Sequence, residues 1–145
     1  MAENALIKML IKQTAEEQTD SSELFTKGEY RYQDGSYYID YDESEATGFE
    51  GSHVQLKIDE DVVTMTRTGK AFSSLVFEEG ERHFCHYGTE FGDCMIGIST
   101  NKLRHVMADN GGEVEIKYTI DVNGGLMLLN EIKIIVKLRK NGGAN

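Results

Sequence analysis

The sequence predicts an all-β protein: a single antiparallel, mostly up-and-down, closed β-barrel. Three observations carry that expectation. Apolar and polar residues alternate with a period of two through most of the chain, the spacing of strands that bury one face. Short Gly-, Asn- and Asp-containing punctuation separates the alternating runs, as at Asp34-Gly35, Glu79-Gly80, Asn110-Gly111-Gly112 and Asn123-Gly124-Gly125. Strands joined this closely must close on themselves or stack as two sheets, because open edges invite aggregation. Consecutive hairpins without long crossovers favour the barrel over a Greek-key sandwich.

Residues 5–14 read as a first strand, with Ile7, Met9 and Ile11 on one side and Lys8 and Lys12 on the other. Residues 2–18 also carry a competing helical signal, since Ala, Leu, Lys, Gln and Glu are good helix formers. Leu24 to Tyr32 reads as the second strand, with an irregularity at Gly28, and Asp34-Gly35 ends it. Residues 37–43 come next, followed by a Thr47–Ser52 turn and the strand Val54–Ile58. Asp59-Glu60-Asp61 turns the chain into Val62–Arg67, and Gly69 separates that strand from Phe72–Phe77. Glu79-Gly80 leads to Arg82–Tyr87, and Thr89–Gly92 leads to Cys94–Ser99. Residues 102–108 and Asn110-Gly111-Gly112 precede the final hairpin. There Val114–Val122 alternates without a break, with every even position apolar or aromatic. After Asn123-Gly124-Gly125, the run Leu126–Leu138 puts Leu128, Ile132, Ile134 and Val136 on one face and Lys133 and Lys137 on the other. The expectation is ten or eleven strands in one domain over residues 1–145, with an ordered core of about 5–139.

Composition narrows the functional classes. A chain of 145 residues is long enough to bury about two-thirds of its unfolded surface. The net charge of -10 is spread along the chain, which argues against nucleic acid and anionic membranes, since both need clustered Lys and Arg. The acidic first residues and Lys8 inside a short apolar run do not form a signal peptide, and no apolar stretch would span a bilayer. Cys85 and Cys94 are too few for a secreted disulfide scaffold, so the expected setting is cytoplasmic with free thiols.

Several short motifs together resemble the YwiB-like proteins of Gram-positive bacteria. They are Tyr41-x-Glu43, Thr47-Gly48, Arg67-Thr68-Gly69, Phe77-Glu78-Glu79-Gly80, Tyr87 with Thr89 and Gly92, Ile96-Gly97, Asn101-Lys102-Leu103, Gly111-Gly112 and Tyr118. The resemblance runs from about residue 5 to 139. It implies a lipocalin-like, calycin-type β-barrel in a family whose function is not established, and it supplies no activity. One departure stands out: Glu90 occupies a position where that family commonly has proline, which would pre-set φ in the turn.

Parity picks out the candidate site. If Ile39 points inward, then Tyr37, Tyr41 and Glu43 follow it, and Tyr38, Asp40 and Asp42 face water. Inward Val63 and Met65 take Arg67 with them. An inward Glu43 and an inward Arg67 need each other, because a lone buried charge costs several kcal/mol; Glu50 is a second candidate partner. Two outcomes stay open: Arg67 anchors a ligand's acidic group, or the pair simply plugs one end of the barrel. Asn130, between Leu128 and Ile132, must find hydrogen bonds at a bulge or on a ligand. Tyr118 is either a core residue or a ligand contact.

His83, Cys85, His86 and Cys94 form the only cluster of soft ligands. His86 takes the opposite face from His83 and Cys85, and the spacing matches no metal motif, so no metal or cofactor is expected. His53 and His105 look isolated, and hydrolase and nucleotide motifs are absent. The acidic pairs Glu16-Glu17 and Glu78-Glu79 read as solvated turn residues. The expected function is a cytoplasmic barrel binding a small, partly apolar and anionic molecule through Arg67, Glu43, Tyr41, Glu50, Tyr118 and Asn130. The alternative is a structural or interaction barrel, dimerising through an outward apolar stripe of Met127, Leu129 and Ile135; an enzyme ranks last. A cavity of roughly 300 Å³ or more beside Arg67 would favour a ligand, whereas an interior filled by Leu56, Met65, Phe77, Ile120 and Ile134 would favour the alternative.

Overall fold

In the computed structural model, the described residues are 3–44, 50–89, 92–122 and 125–139. They form ten strands: β1 (Glu3–Ala15), β2 (Gln18–Gln33), β3 (Ser36–Asp42), β4 (His53–Ile58), β5 (Val62–Thr68), β6 (Ser73–Glu78), β7 (Arg82–Thr89), β8 (Gly92–Ala108), β9 (Gly111–Val122) and β10 (Leu126–Leu138). Each strand runs antiparallel to the next, and β1 pairs with both β2 and β10 to close the barrel. The helical alternative for residues 2–18 is thereby excluded. Hydrogen-bonding ladders on both edges of β1 outweigh the few tenths of a kcal/mol per residue by which helix propensity would favour the other state.

The strands expected at 94–99 and 102–108 are one strand, β8, with a register shift between Thr100 and Lys102. Asn101 is the extra residue of a bulge, and it flips the side-chain phase. Ile98 pairs with inward Ile120 before it, and Leu103 pairs with inward Ile116 after it. That phase change made one strand read as two. Gly28, the expected irregularity, lies in unbroken register between Ala5 and Tyr41. A Cβ there would run into the Asp40 carbonyl oxygen, so glycine allows two backbones to approach.

Inward parity matches the sequence on β1, β3, β5, β9 and β10. Tyr41 lies opposite Val54, Val54 opposite Arg67, and Arg67 opposite Ser73, carrying the face around β3, β4, β5 and β6. On the far side, Tyr118 lies opposite Asn130, and Asn130 opposite Gln13. The narrowest seam is β6–β7, where only Ser73–Tyr87 and Ser74–His86 are in register. Beyond it, the Val76 backbone N–H donates to the Cys85 Sγ at 3.3 Å.

The interior divides along the barrel axis. One end is solid: Ile39, Leu56, Ile58, Val63 and Phe77 are fully buried there. Tyr30 closes that end by stacking on Tyr37 and donating its hydroxyl to the Ala108 carbonyl at 2.6 Å. The other end is hollow. No helix among the described residues is long and apolar enough to cross a membrane.

Candidate functional site

The hollow end is a cavity of about 690 Å³ lined from seven strands, β1–β3, β5, β6, β9 and β10, and by Tyr87, Cys94 and Ile96 of the β7–β8 hairpin. Of the five residues whose packing would have filled the barrel, Leu56 and Phe77 lie in the solid end. Met65, Ile120 and Ile134 line the cavity instead. Its floor and walls are largely apolar, from Met9, Ile11, Leu24, Met65, Ile120 and Ile132. Its polar groups are Tyr41, Glu43, Arg67, Tyr87, Tyr118, Asn130 and, towards the rim, Gln13, Ser22 and Glu23.

Arg67 and Glu43 meet. Nη2 and Nε of Arg67 donate to the same carboxylate oxygen of Glu43, Oε1, at 3.0 and 3.3 Å. The side chains are only 11% and 1% exposed, so the pair is shielded from water. Glu43 is held there because its backbone N–H donates to the Ser52 carbonyl at 2.8 Å, pinning the chain where it leaves β3. The other carboxylate oxygen, Oε2, is buried and has no hydrogen-bond partner among the described residues. A carboxylate that receives both guanidinium bonds on one oxygen still has acceptor capacity to fill.

Tyr41 and Tyr118 flank the pair. Burial is the main cause that pushes both phenols well above the ordinary tyrosine range, with Glu43 adding to the effect on Tyr41 and Tyr87 to that on Tyr118. Arg67 opposes the shift in each case. Both phenols are therefore neutral, able to donate and accept. Asn130 is 3% exposed; its Oδ1 accepts from Gln13 Nε2 at 2.9 Å, and its Nδ2 has no partner among the described residues. There is no bulge at Asn130, whose register with Tyr118 and Gln13 is unbroken.

Five of the six anticipated residues thus line one cavity. Glu50 does not: it is exposed in the turn before β4, and the carboxylate on Arg67 is that of Glu43. Tyr87, Cys94 and Gln13 were not anticipated as lining residues, although parity with Cys85 and with Ile11 points the first and last of them inward. Cys94 lies opposite Tyr87 and diagonal to Cys85, so both cysteines face inward. Both are free, and no group of His, Cys, Asp and Glu suited to a metal occurs among the described residues.

Outside the barrel, four expectations are corrected. Asp40 points outward but is not in water: it is 7% exposed beneath Arg31, His53 and Gln55. His53 is not isolated, since Nε2 contacts Asp40 at 3.0 Å and Nδ1 contacts Asp42 at 2.9 Å. These carboxylates raise the pKa of His53 above its ordinary value. Cross-strand neighbours on β3 and β4 create this cluster, which parity along one strand does not show. His105 bonds the Glu60 carbonyl, and Glu79 accepts the Leu103 backbone N–H at 2.8 Å, so neither group is merely solvated. Glu90, which stands where the YwiB-like proteins commonly have proline, lies outside the described residues.

The barrel is similar to the crystal structure of ywiB protein from Bacillus subtilis. The TM-score is 0.85 over 96% of this chain and 94% of that chain, at 18% identity, which establishes a common fold. No curated protein matches the sequence. The family model described as Domain of unknown function (DUF1934) matches residues 7–134, most of the barrel, and the chain belongs to that family.

Proposed function

We propose that this protein is a cytoplasmic binding module that holds one small, partly apolar molecule inside the barrel. The observation that carries the reading is the cavity itself. At about 690 Å³ it falls within the roughly 300–1,000 Å³ of small-molecule sites. Apolar walls with a few convergent polar groups at one end suit an amphipathic guest in a lipocalin-like manner. Arg67 was expected to anchor an acidic head group. Glu43 already matches its charge, so an acid would be held on Arg67 only by displacing that carboxylate. Native mass spectrometry of protein purified from its own host tests the reading. Retained mass that denaturation releases is expected, and protein that never carries or accepts an amphiphile would overturn it.

A second reading is supported by the outer face of β10, where Met127 and Leu129 are 60% and 43% exposed. Ile135 is half-buried between Lys8 and Glu113, so it adds less to this stripe. The reading is a homodimer through this face, and it is compatible with an occupied cavity. Sedimentation would show a dimer in wild-type protein and a monomer in Met127→Lys/Leu129→Lys; a monomer in both would dismiss it.

A further inference from the structure

We infer that the cavity selects an uncharged amphiphile, whose head group carries an acceptor oxygen and at least one N–H or O–H, and that Glu43 turns away its carboxylate counterpart. This rests on the binding reading above and names the chemistry of its ligand.

The first argument is charge. Among the described residues lining the cavity, only Arg67, Glu43 and Glu23 are ionisable to a full charge at neutral pH. Glu23 is at the rim, half exposed and 3.8 Å from Lys8. Within the cavity, Arg67 and Glu43 sum to zero across a 3.0 Å contact. A ligand carboxylate would add a third buried charge beside Glu43, with no cation of its own. Like charges sharing a site resist joint ionisation, and an uncompensated buried charge is costly.

The second argument is the inventory of unused hydrogen-bonding groups. Tyr41 and Tyr118 bring neutral phenols to the cavity wall, and Asn130 Nδ2 lacks an acceptor among the described residues. Those three groups can donate to an oxygen. Glu43 Oε2 is different, because it is an acceptor lacking a donor. A primary amide or an alcohol satisfies both kinds of group at once. A carboxylate satisfies only the donors and leaves Oε2 unpaired. Leaving a buried polar group unpaired is what lets a site reject an otherwise similar ligand. The third argument is the apolar body of the cavity, where Met9, Ile11, Leu24, Met65 and Ile132 offer hydrocarbon contact without further polar demand.

Titration calorimetry with decanamide and decanoate, two probes with the same alkyl chain, tests this at neutral pH. Decanamide is expected to bind wild-type protein about tenfold or more tightly than decanoate. Glu43→Gln should bring the two probes close to parity by strengthening decanoate. Because that variant breaks a buried ion pair, Tyr118→Phe provides an independent arm, and should weaken decanamide roughly fivefold through loss of one hydroxyl. Tighter binding of decanoate by wild-type protein, or an unchanged probe ratio in folded Glu43→Gln, would overturn the inference and leave the binding reading standing. An unchanged decanamide affinity in Tyr118→Phe would overturn it likewise. Failure of both probes and of decanol to bind would overturn the binding reading and this inference with it.

Discussion

Arg67 and Glu43 show how much a single pair decides at the residue scale. Each supplies the opposite charge that the other faces in the barrel, across a 3.0 Å contact. Removing one partner of a buried pair strands the remaining charge, at a cost of about 3–5 kcal/mol. Arg67→Met should therefore lower the urea midpoint strongly, and Arg67→Met/Glu43→Leu should recover most of the loss. An unchanged midpoint in the single variant would mean that the pair does not stabilise the fold. His53 makes a pH prediction of definite sign. Asp42 and Asp40 raise its pKa in the folded protein, so the folded state holds the proton more tightly than the unfolded chain. The resulting stabilisation is complete below the ordinary histidine value of about 6.5 and is lost as pH rises through the higher folded value. Stability should fall from neutral to mildly alkaline pH, and His53→Gln should flatten that slope. A histidine NMR titration placing His53 below about 6.5 would contradict it.

The hairpin turns make their own test at the scale of elements. Asp34-Gly35 turns β2 into β3 with φ of 52° and 86°, a left-handed pair that Asp and Gly tolerate. Glu16-Glu17 turns β1 into β2 with φ of 50° and 81°, and neither glutamate suits that conformation. Replacing them with Asn-Gly should raise stability by about 1 kcal/mol, read as a higher melting temperature. A lower one would show that the glutamates make contacts the strain argument omits. Two strand glycines should differ in the opposite direction. Gly28 faces the backbone oxygen of Asp40, which cannot move, so Gly28→Ala should cost about 3 kcal/mol. Gly97 lies under the bidentate Arg82–Asp121 pair, with bonds of 2.8 and 3.1 Å. Those side-chain ends can swing aside, so Gly97→Ala should cost nearer 1 kcal/mol.

The whole barrel sets the accessibility of its two thiols. Cys85 is buried at the β6–β7 seam, and burial pushes its thiol pKa up. Cys94 is exposed where the cavity opens. A disulfide reagent should label one thiol quickly in the folded protein and the second only on unfolding. An occupied cavity should slow the first labelling, because the thiolate, not the thiol, attacks and must be reached. Equal rates for both thiols would contradict the burial of Cys85 beside an exposed Cys94.

Strand order, inward parity and the closed architecture were legible in the sequence, because alternation with a period of two states which side chains must leave water. The same parity placed Tyr41, Glu43, Arg67, Tyr118 and Asn130 on the inner wall. The Asn101 bulge hid the unity of β8, since an extra residue reverses the phase that the alternation reports. Tertiary structure decided what depends on distances across and around the barrel: that Arg67 chooses Glu43 over Glu50, and that Asp40 and His53 form a cluster on the outer face. It also decided that the interior is filled at one end and hollow at the other. Alternation assigns each residue a side of the wall. The space enclosed depends on how ten such walls curve together and on which side chains meet in the middle.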